Sequence, residues 1–466
     1  MTLSCRPTKD ELHSSGKAIL QGYTEDPSSS PYKLAQKPED EPVIPAPAIF
    51  ESDDAVIGGL PTVSELAIHL EFLETLYVLR ERILRSEDID NTMGVTRNRE
   101  TKTGVNGDTK TLKDDTLETR RQEKWTKFIE FAVARFLDWR TVRLGELENR
   151  ASDGEVPPLD ILMVWHTFLL NPLLFSNHCR TKKLYHVPFP WQAIHACIKN
   201  RDWSFTLPSD TPGLFDIFTN WDTYLPSLGQ TNLRLSTFGI DMFTTCNPPQ
   251  PTALSTQPKP PTETEIATLP LENPIRTHFN LFHTMDYALA TDLKAAVIRQ
   301  TSFITKMHSH LWIRSPALHG TLTRAITRYS QFLTLMKRNP GKMLVPTLDI
   351  DLAWHTHQCA ASGYVTDMKE RVGRFVNHDD SIDQGELGVG SDETKRLWRV
   401  GFRKEYRVCL CWDCEMLVDE VGRELERGEG LVDMRAVAGR VEREVRFHRA
   451  VEAARRRGGG LPVREE

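Results

Sequence analysis

The stretch VPTLDIDLAWHTHQC, from Val345 to Cys359, holds two carboxylates, two histidines, a tryptophan and a cysteine. Imidazole with carboxylate suits zinc, iron or manganese. On a helix, Asp351, His355 and Cys359 are spaced i, i+4, i+8 and share a face, whereas His357 points elsewhere. One reading is a metal site with His355, Asp351 or His357 as first ligands, joined by a group distant in sequence. The other is architectural: Trp354 and His355 pack against preceding helices, and the imidazole hydrogen-bonds an Asp or a backbone carbonyl. Two further groups follow. RFVNHDDSID offers His378, Asp379, Asp380 and Asp383, and VCLCWDCE offers Cys409, Cys411, Cys414 and Glu415. The C-x-C-x2-C spacing suits thiolate donors, but structural zinc takes four ligands. Cys359, His355 or His378 could supply the fourth if the chain folds back. Alternatively, three small cysteines pack around Trp412, and the acidic run is an Asp-rich turn or a helix cap.

A shorter echo, VPPLDILMVWHTFLL, begins at Val156. Pro157, Leu159, Asp160, Ile161, Trp165, His166 and Thr167 recur as Pro346, Leu348, Asp349, Ile350, Trp354, His355 and Thr356, each 189 positions later. Such spaced identity, with two helix patterns upstream of each copy, implies two related helical units. The Pro and the early Asp fit a helix start. LDIDL alone could be a strand, but the apolar run LDILMVWH breaks the alternation and argues for a buried helix. Copy one carries Leu162, Phe168 and Leu170 where copy two carries Asp351, His357 and Cys359. Any metal is therefore expected at copy two, with thiolates if zinc and with His and Asp if iron.

The elements that must hold these groups are helical by pattern. PTVSELAIHLEFLETLYVLRERILRS places Leu66, Leu70, Leu73, Leu76 and Tyr77 on one stripe, and Thr62 with Glu65 has capping-box spacing. RRQEKWTKFIEFAVARFLDWRTVRLGEL aligns Trp125, Phe128, Ala132, Phe136 and Trp139. Helices are expected again near 286–306 and 318–337. The fold class is mainly α: a disordered tail over 1–55 and helical unit one over 56–245 with a disordered insert at 86–120. A Pro/Thr-rich linker over 246–274, helical unit two over 275–420 and a charged helical tail over 421–466 follow. The RRRGGG near its end is expected to fray.

Composition limits the partners. Apolar residues make up 39% and charged residues 26% of 466 residues, and the net charge is −6, without a nucleic-acid footprint. No apolar run is long enough for a membrane span, and the opening MTLSCRPTKDELHSSG has no secretory pattern. Scattered cysteines fit reduced thiols in the cytoplasm or nucleus.

PTLDIDLAWHTHQ, NHDDSID and CLCWDCE in order resemble the glycine-rich domain-containing protein-like family of plants and fungi. VPPLDILMVWHTFLLNP and Phe189–Trp191 are similar to its fungal branch. The resemblance covers roughly residues 60–420 outside the insert and linker. It departs in lacking a glycine-rich tail, in having no Pro in QCAASGY, and in Phe168. It implies a helical domain with open chemistry, although some fungal relatives are described as 2-oxoglutarate-dependent dioxygenases. Three functions follow: a non-enzymatic scaffold for protein partners, a non-haem iron oxygenase, or a structural zinc protein on Cys409, Cys411 and Cys414. No phosphate loop, G-x-S-x-G elbow or HExxH occurs. The oxygenase would draw its triad from His378, Asp380 and His448, or from His355, His357 and Asp380.

Overall fold

The computed structural model describes residues 32–51, 56–87, 101–103, 109–111, 114–146, 156–207, 286–380, 382, 384–428 and 432–464. The architecture is mainly α, as the periodicity predicts. The helices in chain order are α1 (Ala48–Glu51), α2 (Val63–Arg85), α3 (Leu117–Glu146), α4 (Leu159–Leu169), α5 (Pro172–Cys179) and α6 (Trp191–Cys197). Then come α7 (Tyr287–His310), α8 (Leu318–Arg338), α9 (Leu348–Gln358), α10 (Ala361–Arg371), α11 (Gln384–Phe402), α12 (Trp412–Arg427) and α13 (Met434–Arg457). Strands are minor among the described residues: three antiparallel pairs join β1 (Lys33–Leu34) to β6 (Pro462–Val463), β2 (Thr101–Thr103) to β3 (Thr109–Thr111), and β4 (Ile198–Lys199) to β5 (Ser204–Phe205).

These elements gather into two compact units, each discontinuous in sequence. The first draws on Met1–Thr75, Leu169–Phe205 and Ser302–Glu466, the second on Leu76–Phe168 and Thr206–Thr301, each over its described residues. Local chemistry explains the helices. The capping box at α2 forms: Thr62 N donates to Glu65 Oε2 at 2.8 Å and Glu65 N to Thr62 Oγ1 at 3.1 Å, satisfying two end donors. Helix α8 buries Leu322, Ala325, Ile326, Tyr329, Phe332, Leu333 and Met336, a stripe of helical period. Helix α9 is buried on almost every side, including its polar residues, so each of those needs a partner.

The internal repeat is visible in the packing within each copy. Helices α4 and α9 are both 11 residues long, and each is followed closely by another helix. Each places its first-turn Asp against an Arg of the preceding long helix: Arg135–Asp160 at 2.9 Å, and Arg328 Nε–Asp349 Oδ2 at 2.6 Å. Each sets its Trp against an aromatic ring, Trp139–Trp165 and Phe332–Trp354. A third pair matches in position, Phe136–Phe168 and Tyr329–His357. The partners on the long helices, Arg135, Phe136 and Trp139, correspond to Arg328, Tyr329 and Phe332 at an offset of 193, against 189 for the motif itself. The connection is therefore four residues shorter in copy two, while the ring and ion-pair contacts persist.

The flanks pack more than their composition suggests. Within the expected N-terminal tail, residues 1–31 and 52–55 lie outside the described ones, but Ile44 and Phe50 are buried. Ile44 joins a core with Phe447, Val451, Ala454 and Leu461. The RRRGGG end does not fray: α13 runs through Arg457, Gly458 caps it at φ +69, and Leu461 is buried beyond it. Val437, Val441, Val445, Val451 and Ala454 give α13 an apolar stripe that its many charges mask in an overall count. In the 86–120 stretch, β2 pairs with β3, which takes in Thr109 and Lys110 of the expected VNGDTK turn. The linker 246–274 lies outside the described residues. Among the described residues, no single helix is long and apolar enough to cross a membrane.

Candidate metal centre

Helix α9 begins after Pro346, with Thr347 as its N-cap residue in extended conformation. Its first turn presents Asp349, which Arg328 takes, and Asp351. One turn later stands His355, whose Nε2 lies 3.4 Å from Asp351 Oδ1. The third member comes from beyond α10. That helix ends at Arg371, and Gly373 just beyond it, at φ +85, lets the chain reverse, so that the following segment returns to α9. Tyr364 holds it there: its hydroxyl accepts from Trp354 Nε1 at 2.9 Å and donates to Val376 O at 2.8 Å. Asn377 Oδ1 also accepts from Leu173 N at 3.1 Å. Next to Asn377, His378 brings its Nε2 to 3.1 Å from His355 Nε2 and 3.4 Å from Asp351 Oδ1.

Two imidazole nitrogens and one carboxylate oxygen therefore converge, all within 4.8 Å of one another. Aromatic rings hold both imidazoles: Phe303 lies 4.5 Å from His355, and Trp354 meets His378 edge-on at 4.9 Å. Burial pushes the His355 imidazole down to about 4, against a smaller upward pull from Asp351, so it is neutral near pH 7 and its lone pair is available. Burial alone would raise the Asp351 carboxyl, but His355, His378 and Lys306 together hold it below its ordinary value. Two Nε2 atoms at 3.1 Å cannot both carry protons, since each would donate into the other. Any Nε2 that keeps its lone pair has its proton on Nδ1, and neither Nδ1 has a protein partner among the described residues. Such a set of lone pairs is what a cation accepts.

The other candidates separate. His357 spends both nitrogens elsewhere, Nδ1 with Tyr329 Oη at 3.0 Å and Nε2 with Asp367 Oδ2 at 3.0 Å. Asp380 is not among the converging donors, so neither oxygenase triad assembles as expected. His448 Nδ1 lies against Arg314 O at 3.0 Å. Asp383 lies outside the described residues. Cys359 shares the predicted face but stays a buried thiol, which burial pushes up. Cys409, Cys411 and Cys414 form their own group within 4.8 Å, and none of Cys359, His355 or His378 joins it as a fourth zinc ligand. The hydrogen bond between Cys409 and Cys411 holds the Cys409 thiol below its ordinary value and, together with burial, pushes the Cys411 thiol up. Sequence reasoning missed the Arg135–Asp160 and Arg328–Asp349 pairs. The signal was RFLDW at 135–139 against RYSQF at 328–332, an Arg–aromatic step repeated in both long helices.

A family profile, glycine-rich domain-containing protein-like, matches residues 267–367. It spans α7 to α9 and most of α10, and so includes Asp351 and His355 but ends before His378. The chain is similar to glycine-rich domain-containing protein 1 of Arabidopsis thaliana, 27% identical over 304 residues, or 62% of this chain and 31% of that protein. It is also similar to glycine-rich domain-containing protein 2 of the same plant, 34% identical over 123 residues, or 25% of this chain and 15% of that protein. The chain thus spans less than a third of the length of either relative. No solved structure matches it.

Proposed function

We propose that this chain, which carries a glycine-rich domain-containing protein-like region, is a helical scaffold for protein partners whose second repeat holds one divalent transition metal. Asp351, His355 and His378 are the ligands. The observation that carries this reading is the convergence of Asp351 Oδ1, His355 Nε2 and His378 Nε2 on one point. The scaffold part rests on the repeat: both copies keep the Arg–Asp and aromatic pairs, while copy one has Leu162 in place of the ligating Asp351. What the copies share is architecture, and the metal site is an addition to one of them. Cys179, Cys197 and Cys359 are outside disulfides, which suits a reducing compartment, cytoplasm or nucleus.

The test is metal content of the full chain, purified without a metal-affinity tag. About one zinc, iron or manganese per chain is expected. Asp351→Ala, His355→Ala and His378→Ala should each release it, while His357→Ala and His166→Ala retain it. A metal that binds only the folded form at a hundred times its Kd adds about 2.7 kcal/mol, so a chelator should lower the melting midpoint of the wild type and leave His378→Ala unmoved. A metal-free chain, or retention in His378→Ala, defeats the reading.

A second reading is favoured by one observation: two imidazoles and a carboxylate are the ligand set of non-haem iron oxygenases. In it, Asp351, His355 and His378 would hold iron, which would supply oxygen activation with 2-oxoglutarate as co-substrate. Oxygen uptake by the iron-loaded chain that depends on 2-oxoglutarate, and is lost in His378→Ala, would favour it over the scaffold.

A further inference from the structure

We infer that Cys409, Cys411 and Cys414 form a second site, which takes one Cu(I) ion in three-coordinate thiolate geometry. It shares no residue with the Asp351–His355–His378 group. The three Sγ atoms lie within 4.8 Å of one another, and Cys409 Sγ stands 3.3 Å from Cys411 Sγ. None of the three cysteines is in a disulfide and all are partly exposed, so a cation can reach them without unfolding the chain.

The segment that carries them is fixed from both sides. Trp312 Nε1 donates to Leu410 O at 2.9 Å, and Trp412 Nε1 donates to His310 O at 2.9 Å. These two bonds tie residues 410–412 to the turn at 310–312, where Leu311 adopts a left-handed φ of 49. Cys411 is the N-cap residue of α12 and Cys414 stands in its first turn. A thiolate there meets the positive end of the helix dipole. The sulfurs are therefore positioned by a 16-residue helix and two indole hydrogen bonds, and not by a mobile loop. Cys414 also lines a cavity of about 490 Å³ between α12 and α13, with Asp413, Leu417, Val441 and Arg449, which gives an entry path.

The donor set selects the ion. Structural zinc is almost always four-coordinate, and among the described residues no His, Asp, Glu or fourth Cys joins the three sulfurs. Soft thiolates suit Cu(I), zinc and iron–sulfur clusters; three sulfurs fall short of the four ligands that structural zinc and iron–sulfur clusters take, whereas Cu(I) is stable with three. Binding moves the thiol protons to solvent and changes no oxidation state.

The experiment uses the full chain, reduced and free of oxygen, titrated with Cu(I) against a competing Cu(I) chelator. About one equivalent should bind to this set, with sulfur-to-copper charge-transfer absorption and a three-sulfur shell by X-ray absorption. Cys409→Ser, Cys411→Ser and Cys414→Ser should each weaken binding by more than the roughly 10–100-fold that outer-shell changes cost. His378→Ala should bind Cu(I) as the wild type does. Melting midpoints of the Cys variants in chelator, equal to the wild type's, exclude unfolding as the cause. Uptake unaffected by the Cys substitutions, a shell containing nitrogen or oxygen, or preferential retention of zinc by these cysteines overturns the proposal.

Discussion

Arg328→Met tests the device that both repeats share. Arg328 stands on α8 and reaches three groups at the start of α9 and beyond: Asp349 Oδ2 from Nε at 2.6 Å, and Thr347 Oγ1 at 3.1 Å and Tyr406 O at 2.8 Å from Nη2. Its guanidinium also lies over the Trp398 ring at 5.2 Å. The Asp349 side chain is 2% exposed and its Oδ1 has no hydrogen-bond partner among the described residues. Methionine keeps most of the alkyl volume and removes the charge. Asp349 is then a buried carboxylate without a counter-ion, which costs about 3–5 kcal/mol. The lost cation–π contact adds about 0.5–1 kcal/mol. At about 2–3 °C per kcal/mol for a unit of this size, the ion-pair loss alone lowers the midpoint by about 6–15 °C.

The assay is calorimetry of the full chain, which can show more than one transition because it contains two units. The transition of the unit holding α8 and α9 should move. Arg328→Met with Asp349→Asn removes both charges, and should recover on the order of 2–3 kcal/mol relative to additivity. A midpoint within about 2 °C of wild type in the single variant would mean that Asp349 finds another partner. A double variant no better than the sum of the singles would refute charge coupling as the link between the helices.

Three other outcomes are expected. Trp165→Ala and Trp354→Ala, both buried against an aromatic ring of the preceding helix, should each lose about 3–5 kcal/mol, read by denaturant unfolding; an unmoved midpoint would place the indole at the surface. His357→Phe installs the copy-one residue and leaves the buried Tyr329 hydroxyl without its partner, at about 1–3 kcal/mol. Adding Tyr329→Phe rebuilds the Phe136–Phe168 pair of copy one and should restore part of that loss; no restoration would sink the equivalence. Glu71 is raised by burial, against lowering by His195 and Arg314, so its contribution is present below the unfolded carboxyl pKa and is lost as pH rises through the raised value. Glu71→Gln should therefore gain more in midpoint, relative to wild type, at pH 7 than at pH 4; the reverse ordering would show that the His195 pair dominates.

What the sequence discloses depends on range. The α2 capping box, the apolar stripe of α8 and the helical state of both motif copies follow from neighbours within one or two turns, and the structure has them. The residue types of the proposed site were also readable, since Asp351, His355 and His378 all stand in short polar motifs. Their assembly was not. His378 reaches α9 because Gly373 reverses the chain and Tyr364 bridges Trp354 to Val376, and no local period encodes such a return. Spacing put Cys359 on the same face as His355, yet its thiol is absent from the converging donors. The docking of Ile44 on α13 was hidden for the same reason: it joins residues near opposite ends of the chain.

The two copies show how an apolar helix can accept polar residues. Copy two differs from copy one at Asp351, His357 and Cys359, against Leu162, Phe168 and Leu170. Burying three such groups is costly unless each is neutral or paired, and the structure resolves each one differently. Cys359 remains a neutral thiol. His357 arrives together with Tyr329, which replaces Phe136 and supplies a hydroxyl, and Asp367 closes the far side. Asp351 keeps its side chain 21% exposed, and His355, His378 and Lys306 hold its carboxyl below its ordinary value. Its nearest groups are two histidines, one of them neutral and buried, whose Nε2 atoms face each other and the carboxylate. Within the protein alone, at least one buried Nδ1–H is left without an acceptor. A cation bound at the convergence point, as proposed above, would use both Nε2 lone pairs and offset the carboxylate charge.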